Sequence, residues 1–541
     1  MNTDEETRYN LAHLQTVASS MAQQVAGTYE AEQQANMTSV TDEESQINDT
    51  NSEKDAAKGS NSYAVNSFSS AAGSQPQAYN PDGQNTAKPA VTQPEENEEN
   101  VPISPTKTRL YSPKLASQRK KITVKFIISN LLLAGVCLSI LSLYWGSLYQ
   151  TTKHLERISI IAIIQDDYIP PNDLNLTSVV APVPSFIEQS TGKWHVYNQS
   201  YFQEKFNVQD PTMINERLNA LIHDEKYWIA LNIGANLTMR IVNSLTTPNE
   251  PFFNSTQHIR VVYETSREPT TLEAYMLPII QEIELAYQDF YHTEYLPELL
   301  SKLQNSTTTP LSNTGAANLA NIGKFQFDYD DILVFPDRIL IAPLQVGLIY
   351  CLILTVFQLS LFGPLHAEMA KYLKPKHIII YRLSVSWATY FFLSLFFCTV
   401  SAIFQIDFTV TFGKGGFVIY WMTTYLVMLA LGGANENVLS LIILFIPEYL
   451  PLWLLSWIIM NISPTFNPMV LDNVFYRYGY MMPLHQALDI FKVVFLNVSK
   501  RHMGRNYGIL VAWIVVNTCL FPLVMKIVGK TVQKRMEAKK N

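Results

Sequence analysis

Cysteine is scarce in this chain of 541 residues, and its few copies lie far apart. The sequence contains four, each within an apolar run: Cys137, Cys351, Cys398 and Cys519. An unpaired cysteine in such a run behaves as a small hydrophobic residue. Because neither a Cys-x-x-Cys pair nor a cysteine–histidine cluster occurs, the sequence predicts no disulfide framework, no metal site and no cofactor.

Motifs of catalysis and nucleotide binding are also lacking. Gly529-Lys530-Thr531 resembles the end of a phosphate-binding loop, but Val524 stands where the first glycine of that loop is required. His366-Ala367-Glu368 lacks the cysteines that accompany it in zinc deaminases. We therefore assign no catalytic residue, and we expect neither an enzyme nor a nucleic-acid-binding protein.

The net charge of −7 originates in the N-terminal segment. Residues 1–100 hold 16 acidic and 4 basic side chains and no long apolar run, which predicts a disordered cytoplasmic tail. Residues 101–125 are basic and contain no acid, so we expect them on the cytoplasmic side, in contact with anionic lipid. Ser104-Pro105 and Ser112-Pro113 are candidate phosphorylation sites that would weaken this contact, although such pairs are common in disordered tails.

The first predicted transmembrane helix covers residues 126–149, enough to cross about 30 Å of hydrocarbon. Residues 150–338 then contain no further span. Apolar runs typical of strands and helical periodicities alternate in this segment. The strand runs lie at 157–164, 227–233 and 259–263, and the helical ones at 213–222 and 272–303. We predict an α/β extracytoplasmic domain between the first and second transmembrane helices.

This domain carries five Asn-x-Ser/Thr sequons: Asn175, Asn198, Asn236, Asn254 and Asn305. Chance would give roughly two in a segment of this asparagine content, and the motif is used only on lumenal or extracellular surfaces. The excess therefore predicts a glycosylated domain outside the cytoplasm. A further sequon, at Asn461, is expected to lie too close to the bilayer for modification.

Five more transmembrane helices are predicted in the membrane block, residues 339–528. They cover 339–362, 378–404, 416–433, 439–460 and 507–528. With the N-terminus inside, the loop 363–377 and the tail 529–541 are cytoplasmic, and both are basic, as the positive-inside rule requires. The loop 461–506 is external on this count although it is basic, because long loops translocate with less regard to charge. The predicted fold class is an α-helical polytopic membrane protein with six transmembrane helices and both termini in the cytoplasm.

Glu448 is the first candidate for a polar site within the membrane. The spans 416–433 and 439–460 are predicted to form a helical hairpin, with Glu448 about halfway along the second. Burial of a carboxylate costs roughly 2.5–3.5 kcal/mol, so intramembrane acids usually face a cavity or a partner. Either Glu448 is a substrate- or proton-coupled carboxylate, or its span is short or displaced and Glu448 lies near an interface.

Two further polar segments complete the candidate site, and the second contains His485. Asn435, Glu436 and Asn437 are expected to cap the hairpin at the cytoplasmic face, after the small residues Gly432 and Gly433 that allow close helix approach. Residues 472–496 are predicted to form an interfacial or re-entrant amphipathic helix. His485 within it titrates near neutral pH when exposed, but such a histidine is more often an interface residue with its partners satisfied.

Several motifs together resemble the fungal nitrosoguanidine-resistance membrane proteins, of the DUF3533 type. The resemblance covers about residues 110–530 and rests on these segments: Tyr144-Trp145-Gly146, Gly416–Trp421, Ala430–Glu436, Arg477–His485 and Gly504–Leu510. It implies a layout like that of ABC-2-type exporters, with one span, an external domain and five spans. It also implies a plasma-membrane protein linked to resistance against nitrosoguanidine and other toxic compounds, but it supplies no substrate or catalytic residues.

Two functional hypotheses follow. In the first, the protein is transporter-like and exports toxic small molecules, using an ion gradient or a separate ATP-binding subunit. In the second, it is a membrane regulator that changes lipid distribution or the activity of drug pumps, so that resistance is indirect. The lipid bilayer is the expected partner in both, and a homo-oligomer or a transporter partner are open alternatives. The expected location is the plasma membrane, with other membranes of the secretory pathway as the alternative.

Overall fold

The computed structural model describes residues 109–166, 174–248, 250–306 and 313–540. The predicted tail, residues 1–100, and Ser104 lie outside these ranges. Ser112 is half-buried before a short helical turn that leads into α1 (Ala116–Ser147). The helix begins well before the predicted residue 126 because the basic segment consists largely of good helix formers and continues the same helix.

An α/β domain follows α1 and is built on a five-stranded sheet in the order β2-β1-β3-β4-β5. Its elements are β1 (Ser159–Ile164), α2 (Val183–Gln189), β2 (Lys193–Asn198), α3 (Gln199–Phe206), α4 (Ile214–His223), β3 (Ile229–Ile233), α5 (Leu237–Thr246), β4 (Ile259–Tyr263), α6 (Leu277–Phe290), α7 (Leu296–Asn305), α8 (Asn313–Ile322) and β5 (Asp328–Asp331). The strand β1 pairs in parallel with β2 and β3, whereas β3 and β4 are antiparallel. The predicted α/β fold is confirmed, and the edge strand β2 is an addition to it.

The inner strand β1 shows how this domain is stabilised without a disulfide. Side chains alternate across a strand, and both faces of β1 are apolar. Ile160 and Ala162 pack into the larger core on one face, and Ile161 and Ile163 pack into a second core on the other. Apolar cores therefore lie on both sides of the sheet.

Two prolines shape the long helical segment that was predicted at 272–303. Each one follows a π-helical turn of five residues, Leu272–Met276 before Pro278 and Tyr291–Tyr295 before Pro297. Proline has no N–H for the bond to the residue four positions earlier, and a widened turn accommodates that loss. The helical segment thus accommodates each proline by a local widening of the turn before it.

The membrane block contains, in order, α9 (Arg338–Ala370), α10 (Pro375–Ile403), α11 (Gly416–Phe445), α12 (Leu450–Ile462), α13 (Pro483–Leu496) and α14 (Met503–Lys540). Within the described ranges, five helices are long and apolar enough to cross a membrane: α1, α9, α10, α11 with the short turn before it, and α14. The protein is therefore a mostly helical, multi-pass membrane protein, and a lipid bilayer surrounds its helices.

The predicted hairpin between 416–433 and 439–460 is wrong. A single helix, α11, runs through both the glycine pair and Asn435. It ends at Phe445 because Pro447 follows, and a proline disfavours the helical conformation of the residue before it. The polar residues do not cap a turn at the membrane surface; they lie inside the helix and find partners on neighbouring helices.

The short helix α12 replaces the predicted span 439–460. Its 13 residues extend about 20 Å, less than the hydrocarbon thickness of about 30 Å. It runs back along the bundle, as one contact at each of its ends shows. Leu444, just before its start, accepts a hydrogen bond from Arg535 at the end of α14. Asn467, after its end, donates to the backbone carbonyl of Ser147 at the end of α1.

The segment 472–496 is not an interfacial helix. It comprises a 3-10 stretch, Val474–Met481, followed by α13. Nearly every side chain of α13 is buried, including His485 and Gln486 on the face expected to meet water. Helices α11 and α14 and the α/β domain surround it, so α13 is a core element of the membrane block.

Candidate functional site

A buried ion pair lies within the helix bundle. Arg382 Nη2 of α10 lies 3.1 Å from Glu436 Oε1 of α11, and the two side chains are only 12% and 5% exposed. Ser386, one turn after Arg382, donates from its hydroxyl to Glu436 Oε2 at 3.2 Å. Two opposite charges buried together cost less than either one alone. This pairing is the physical reason that Glu436 is tolerated inside a membrane helix.

The amides on either side of Glu436 bind other helices. Asn435 donates to Thr355 Oγ1 of α9 at 3.0 Å and accepts from Trp453 Nε1 of α12 at 3.2 Å. Asn437 donates to the carbonyl of Asn517 in α14 at 3.0 Å. Glu436 and these two neighbours therefore link α11 to four helices, α9, α10, α12 and α14. We call these three residues, with Arg382, the bundle polar cluster.

Close packing at Gly432 supports this cluster, as the small-residue pattern predicted. A Cβ atom at Gly432 would overlap the ring of Tyr390 from α10, whose hydroxyl donates to Gln358 Oε1 at 3.1 Å. A cavity of about 20 Å³ adjoins Glu436 and Tyr390, enough for a single water molecule. The cluster is thus a tight polar junction without room for an organic ligand.

Glu448 does not belong to this cluster. It is exposed in the 3-10 turn Pro447–Tyr449 that joins α11 to α12. The prediction of a carboxylate halfway along a span is wrong, because α11 extends farther than expected and moves the following turn to the end of the bundle. Of the two alternatives left open for Glu448, the displaced position is the one observed.

The α/β domain is joined to the membrane block by direct polar contacts. Lys492 Nζ of α13 lies 2.7 Å from Glu268 Oε2, and it also donates to the carbonyl of Arg267 at 3.0 Å. Farther along, Arg157 donates to the carbonyl of Asp472 at 3.0 Å. These contacts fix α13 and the loop before it against the domain.

A cavity of about 290 Å³ lies at this junction, and we call it the junction cavity. On the domain side its lining includes Glu225, Trp228, Arg267 and Glu268. On the membrane side it is lined by residues of the loop 464–470, of α13 and of the start of α14. Charged side chains of both signs line it.

His485 lines the junction cavity but is held by its surroundings. Its Nε2 lies 3.9 Å from Asp489 Oδ2, and the ring packs edge-on against Tyr480 with 5.5 Å between centroids. Burial lowers the pKa of His485, and the charge of Asp489 opposes this only in part. The neutral imidazole is therefore the form present near pH 7.

An aromatic cluster packs α11 against α13 next to the junction cavity. The Tyr420 ring lies 4.9 Å from the rings of both Phe491 and Phe495, centroid to centroid. All three side chains are buried. The bundle polar cluster lies about 24 Å farther along α11, counted from Tyr420 to Glu436. The aromatic cluster thus separates the two polar sites.

Asp472 is a second buried acid, and the sequence analysis did not single it out. It is 2% exposed, and neither carboxylate oxygen makes a hydrogen bond to another described residue. Burial raises its pKa to about 7, and the Asn467 amide opposes that rise only in part. Asp472 lies in the loop segment that packs on the domain, since its neighbour Leu471 belongs to the domain core.

The five domain sequons are all at the surface: Asn175, Asn198, Asn236, Asn254 and Asn305. Asn461 differs, because it is fully buried and its amide donates to the carbonyl of Trp457 in α12. The surface positions are accessible to a modifying enzyme, and the buried one is not.

Sequence reasoning found Asn435 and Glu436 but missed their partner Arg382. Arg382 is the fifth residue of the predicted span 378–404 and lies soon after the basic loop 363–377, so its position is that of a flanking charge under the positive-inside rule. The junction cavity was missed as well, because Arg267, Glu268 and Lys492 come from segments more than two hundred residues apart.

The comparisons with known proteins agree with this architecture. The family model of the DUF3533 proteins, described as proteins of unknown function, matches residues 129–519. An uncharacterized endoplasmic reticulum membrane protein of Saccharomyces cerevisiae is 46% identical over 458 residues, which cover 84% of this chain and 89% of that protein. No solved structure matches the chain. The family match extends over well more than half of the sequence. Together with the identity to the yeast protein, it shows that this chain belongs to the DUF3533 family of membrane proteins.

Proposed function

We propose that the protein is a transporter-like, non-catalytic membrane protein that lowers the exposure of the cell to nitrosoguanidine and other toxic small molecules. The junction cavity carries this proposal. Its volume of about 290 Å³ is close to the lower end of the range of about 300–1,000 Å³ typical of small-molecule sites. Charged groups of both signs, next to aromatic rings, line its wall and provide contacts for a polar organic molecule.

The proposed topology has six passes, with both termini in the cytoplasm and the α/β domain outside it. The helix α12, extended by the 3-10 turns Pro447–Tyr449 and Ser463–Thr465, provides the sixth pass. The exposed sequons of the domain and the basic residues at the opposite end of the bundle support this orientation.

The proposed location is a membrane of the secretory pathway. The yeast relative is described as an endoplasmic reticulum membrane protein, whereas the resemblance to the resistance proteins implies the plasma membrane. Microscopy of the tagged full chain, with one marker for each membrane, distinguishes the two.

Transport in this arrangement requires the aromatic cluster to open. Tyr420, Phe491 and Phe495 close the bundle under the junction cavity. The bundle polar cluster then provides charged groups on the cytoplasmic side of that barrier. No nucleotide-binding motif is present in the sequence, so the energy would come from an ion gradient or from a separate ATP-binding subunit.

The closed aromatic cluster favours a second candidate function. A protein whose bundle stays sealed can alter lipid distribution or the activity of drug pumps without moving a substrate itself. Resistance would then be indirect, and the junction cavity would bind a regulatory ligand.

The test compares deletion cells that express the wild type, Arg505→Gln or Arg501→Gln. Arg505 lines the junction cavity, whereas the exposed Arg501, one turn earlier, does not, so it is the matched control. We expect the wild type and Arg501→Gln to lower accumulation of a labelled toxic compound, and Arg505→Gln to lose most of this effect. Unchanged drug accumulation with altered uptake of lipid probes would contradict export and support the regulator.

A further inference from the structure

A smaller apolar cavity adjoins the junction cavity. It has a volume of about 30 Å³, and both cavities are lined by Glu268, Lys492, Leu488 and Thr465. The remaining wall is largely apolar and includes Phe335, Ile341, Leu344 and Leu496. We call it the side pocket. The Lys492–Glu268 ion pair therefore stands on the border between a polar and an apolar space.

The side pocket lies where the chain enters the membrane. Ile341 and Leu344 belong to the first turns of α9, the helix that leaves the domain and crosses the bilayer. Ile339 and Ile341 are 38% and 36% exposed, so apolar surface continues outward from the pocket. The pocket has room for about one carbon of an alkyl chain, and the rest of the chain can follow this apolar surface into lipid.

The acidic side chains of the junction cavity each have a polar partner. Lys492 and Glu268 neutralise each other at 2.7 Å. Asp489 accepts from the amide of Asn506 at 3.2 Å, and Glu225 Oε2 lies 3.9 Å from His502 Nε2. The carboxylates of the cavity therefore have partners of their own.

The two arginines are differently placed. Arg267 lies over the ring of Trp228, 3.4 Å from its centroid, and donates one hydrogen bond, to the carbonyl of Tyr227. Arg505 lies 5.5 Å from the ring centroid of Tyr480, and its Nε and Nη2 donate to Asn506 Oδ1 at 3.4 Å, which is long for a hydrogen bond. Among the described residues, neither guanidinium has a carboxylate within 4.0 Å. Arg267 therefore keeps most of its edge donors for a phosphate or carboxylate, and Arg505 can exchange its two long bonds to a neutral amide for a shorter, charge-assisted pair.

We propose that the ligand of the junction cavity is a single-chain amphiphile with an anionic head, a phosphate or a carboxylate. The head binds Arg267 and Arg505 in the junction cavity, and the chain passes the Lys492–Glu268 pair into the side pocket. This inference rests on the proposed function only in that both use the junction cavity; it adds the chemical class of the ligand.

The test measures binding to the purified full chain in maltoside detergent by isothermal titration calorimetry. Hexyl phosphate is the probe, because it combines the head with a short soluble chain. Inorganic phosphate, hexanol and hexyltrimethylammonium test the head alone, the chain alone and the opposite charge, and hexanoate distinguishes a carboxylate head from a phosphate head. We expect hexyl phosphate or hexanoate to bind at least about tenfold more tightly than each of the three comparison compounds, a difference of about 1.4 kcal/mol.

Matched variants locate the site. Arg267→Gln and Arg505→Gln are each expected to weaken hexyl phosphate at least about tenfold, whereas Arg501→Gln leaves its affinity unchanged. Because Arg267 also packs on Trp228, the exposed Arg505 gives the test that is independent of folding. Ile341→Ser should weaken hexyl phosphate but leave inorganic phosphate unaffected.

Three results would overturn the inference: equal affinities for hexyl phosphate and inorganic phosphate, tighter binding of hexyltrimethylammonium, or no effect of either arginine substitution. Export of toxic compounds without binding of either anionic amphiphile would leave the proposed function intact and remove this inference. Binding without export would do the reverse.

Discussion

Replacement of Glu436 by glutamine is expected to destabilise the membrane block, because it leaves the guanidinium of Arg382 buried without a carboxylate partner. Arg382 is 12% exposed, and Glu436 Oε1 lies 3.1 Å from its Nη2. Removal of one partner of a buried pair costs about 3–5 kcal/mol. Arg382 retains the Phe521 ring, with 5.4 Å from its Cζ to the ring centroid, and this contact favours the lower end of that range.

The measurement is thermal unfolding of the purified full chain in detergent. For a block of about 200 residues, each kcal/mol lowers Tm by roughly 2–4 °C, so we expect Glu436→Gln to lower it by about 6–12 °C. The double variant Arg382→Gln with Glu436→Gln buries no net charge, and its loss of stability should be smaller than that of Glu436→Gln alone.

Glu448→Gln is the matched control. It makes the same chemical change in the exposed turn between α11 and α12, and its Tm should equal that of the wild type. If Glu436→Gln unfolds at the wild-type temperature, or if the double variant is less stable than either single one, the buried ion pair does not support the bundle and the reasoning is refuted.

Three further predictions concern other parts of the chain. Because burial raises the pKa of Asp472 to about 7 in the folded protein, its contribution to stability is complete below pH 4 and is lost progressively as the pH rises to 7; Asp472→Asn should therefore add up to roughly 4 kcal/mol of stability and raise Tm at pH 8, and leave Tm nearly unchanged below pH 4. Gly432→Ala should destabilise the bundle by about 1–3 kcal/mol through overlap with Tyr390, and Tyr390→Leu should recover part of that loss in the same unfolding assay. Asn198→Gln should remove one glycan on gels of the expressed protein, whereas Asn461→Gln should change no band; equal shifts for the two would contradict the buried position of Asn461.

The α/β domain could be predicted because its strands follow local rules. The runs at 227–233 and 259–263 are apolar and bounded by polar segments, and they became β3 and β4. The strand β2 was missed because it lies at the edge of the sheet and alternates weakly: several of its side chains, such as Lys193 and Val196, are exposed. Edge strands obtain their hydrogen bonds from a neighbour that local patterning does not reveal.

The membrane block was harder to predict because composition alone does not distinguish a turn from a polar stretch within a buried helix. Gly432, Gly433 and Asn435 have the composition of a loop, and that composition produced the false hairpin. In the structure the Asn435 amide bonds with Thr355 and Trp453, and Gly432 allows the close approach of Tyr390. All three partners are distant in sequence. Pro447 was the correct local signal for the end of the helix, since its effect on the preceding residue does not depend on tertiary partners.

The position of α13 connects the domain to the barrier inside the bundle. Phe491 and Phe495 of α13 close the bundle against Tyr420, and Lys492, which follows Phe491, pairs with Glu268 of the domain. These three α13 residues lie within little more than one helical turn. In the proposed function, a ligand whose chain passes the Lys492–Glu268 pair would therefore act on the same turn that holds the proposed barrier shut. A carrier requires such a linkage between binding and opening, and α13, a single short helix between the cavity and the bundle, is the element that would provide it.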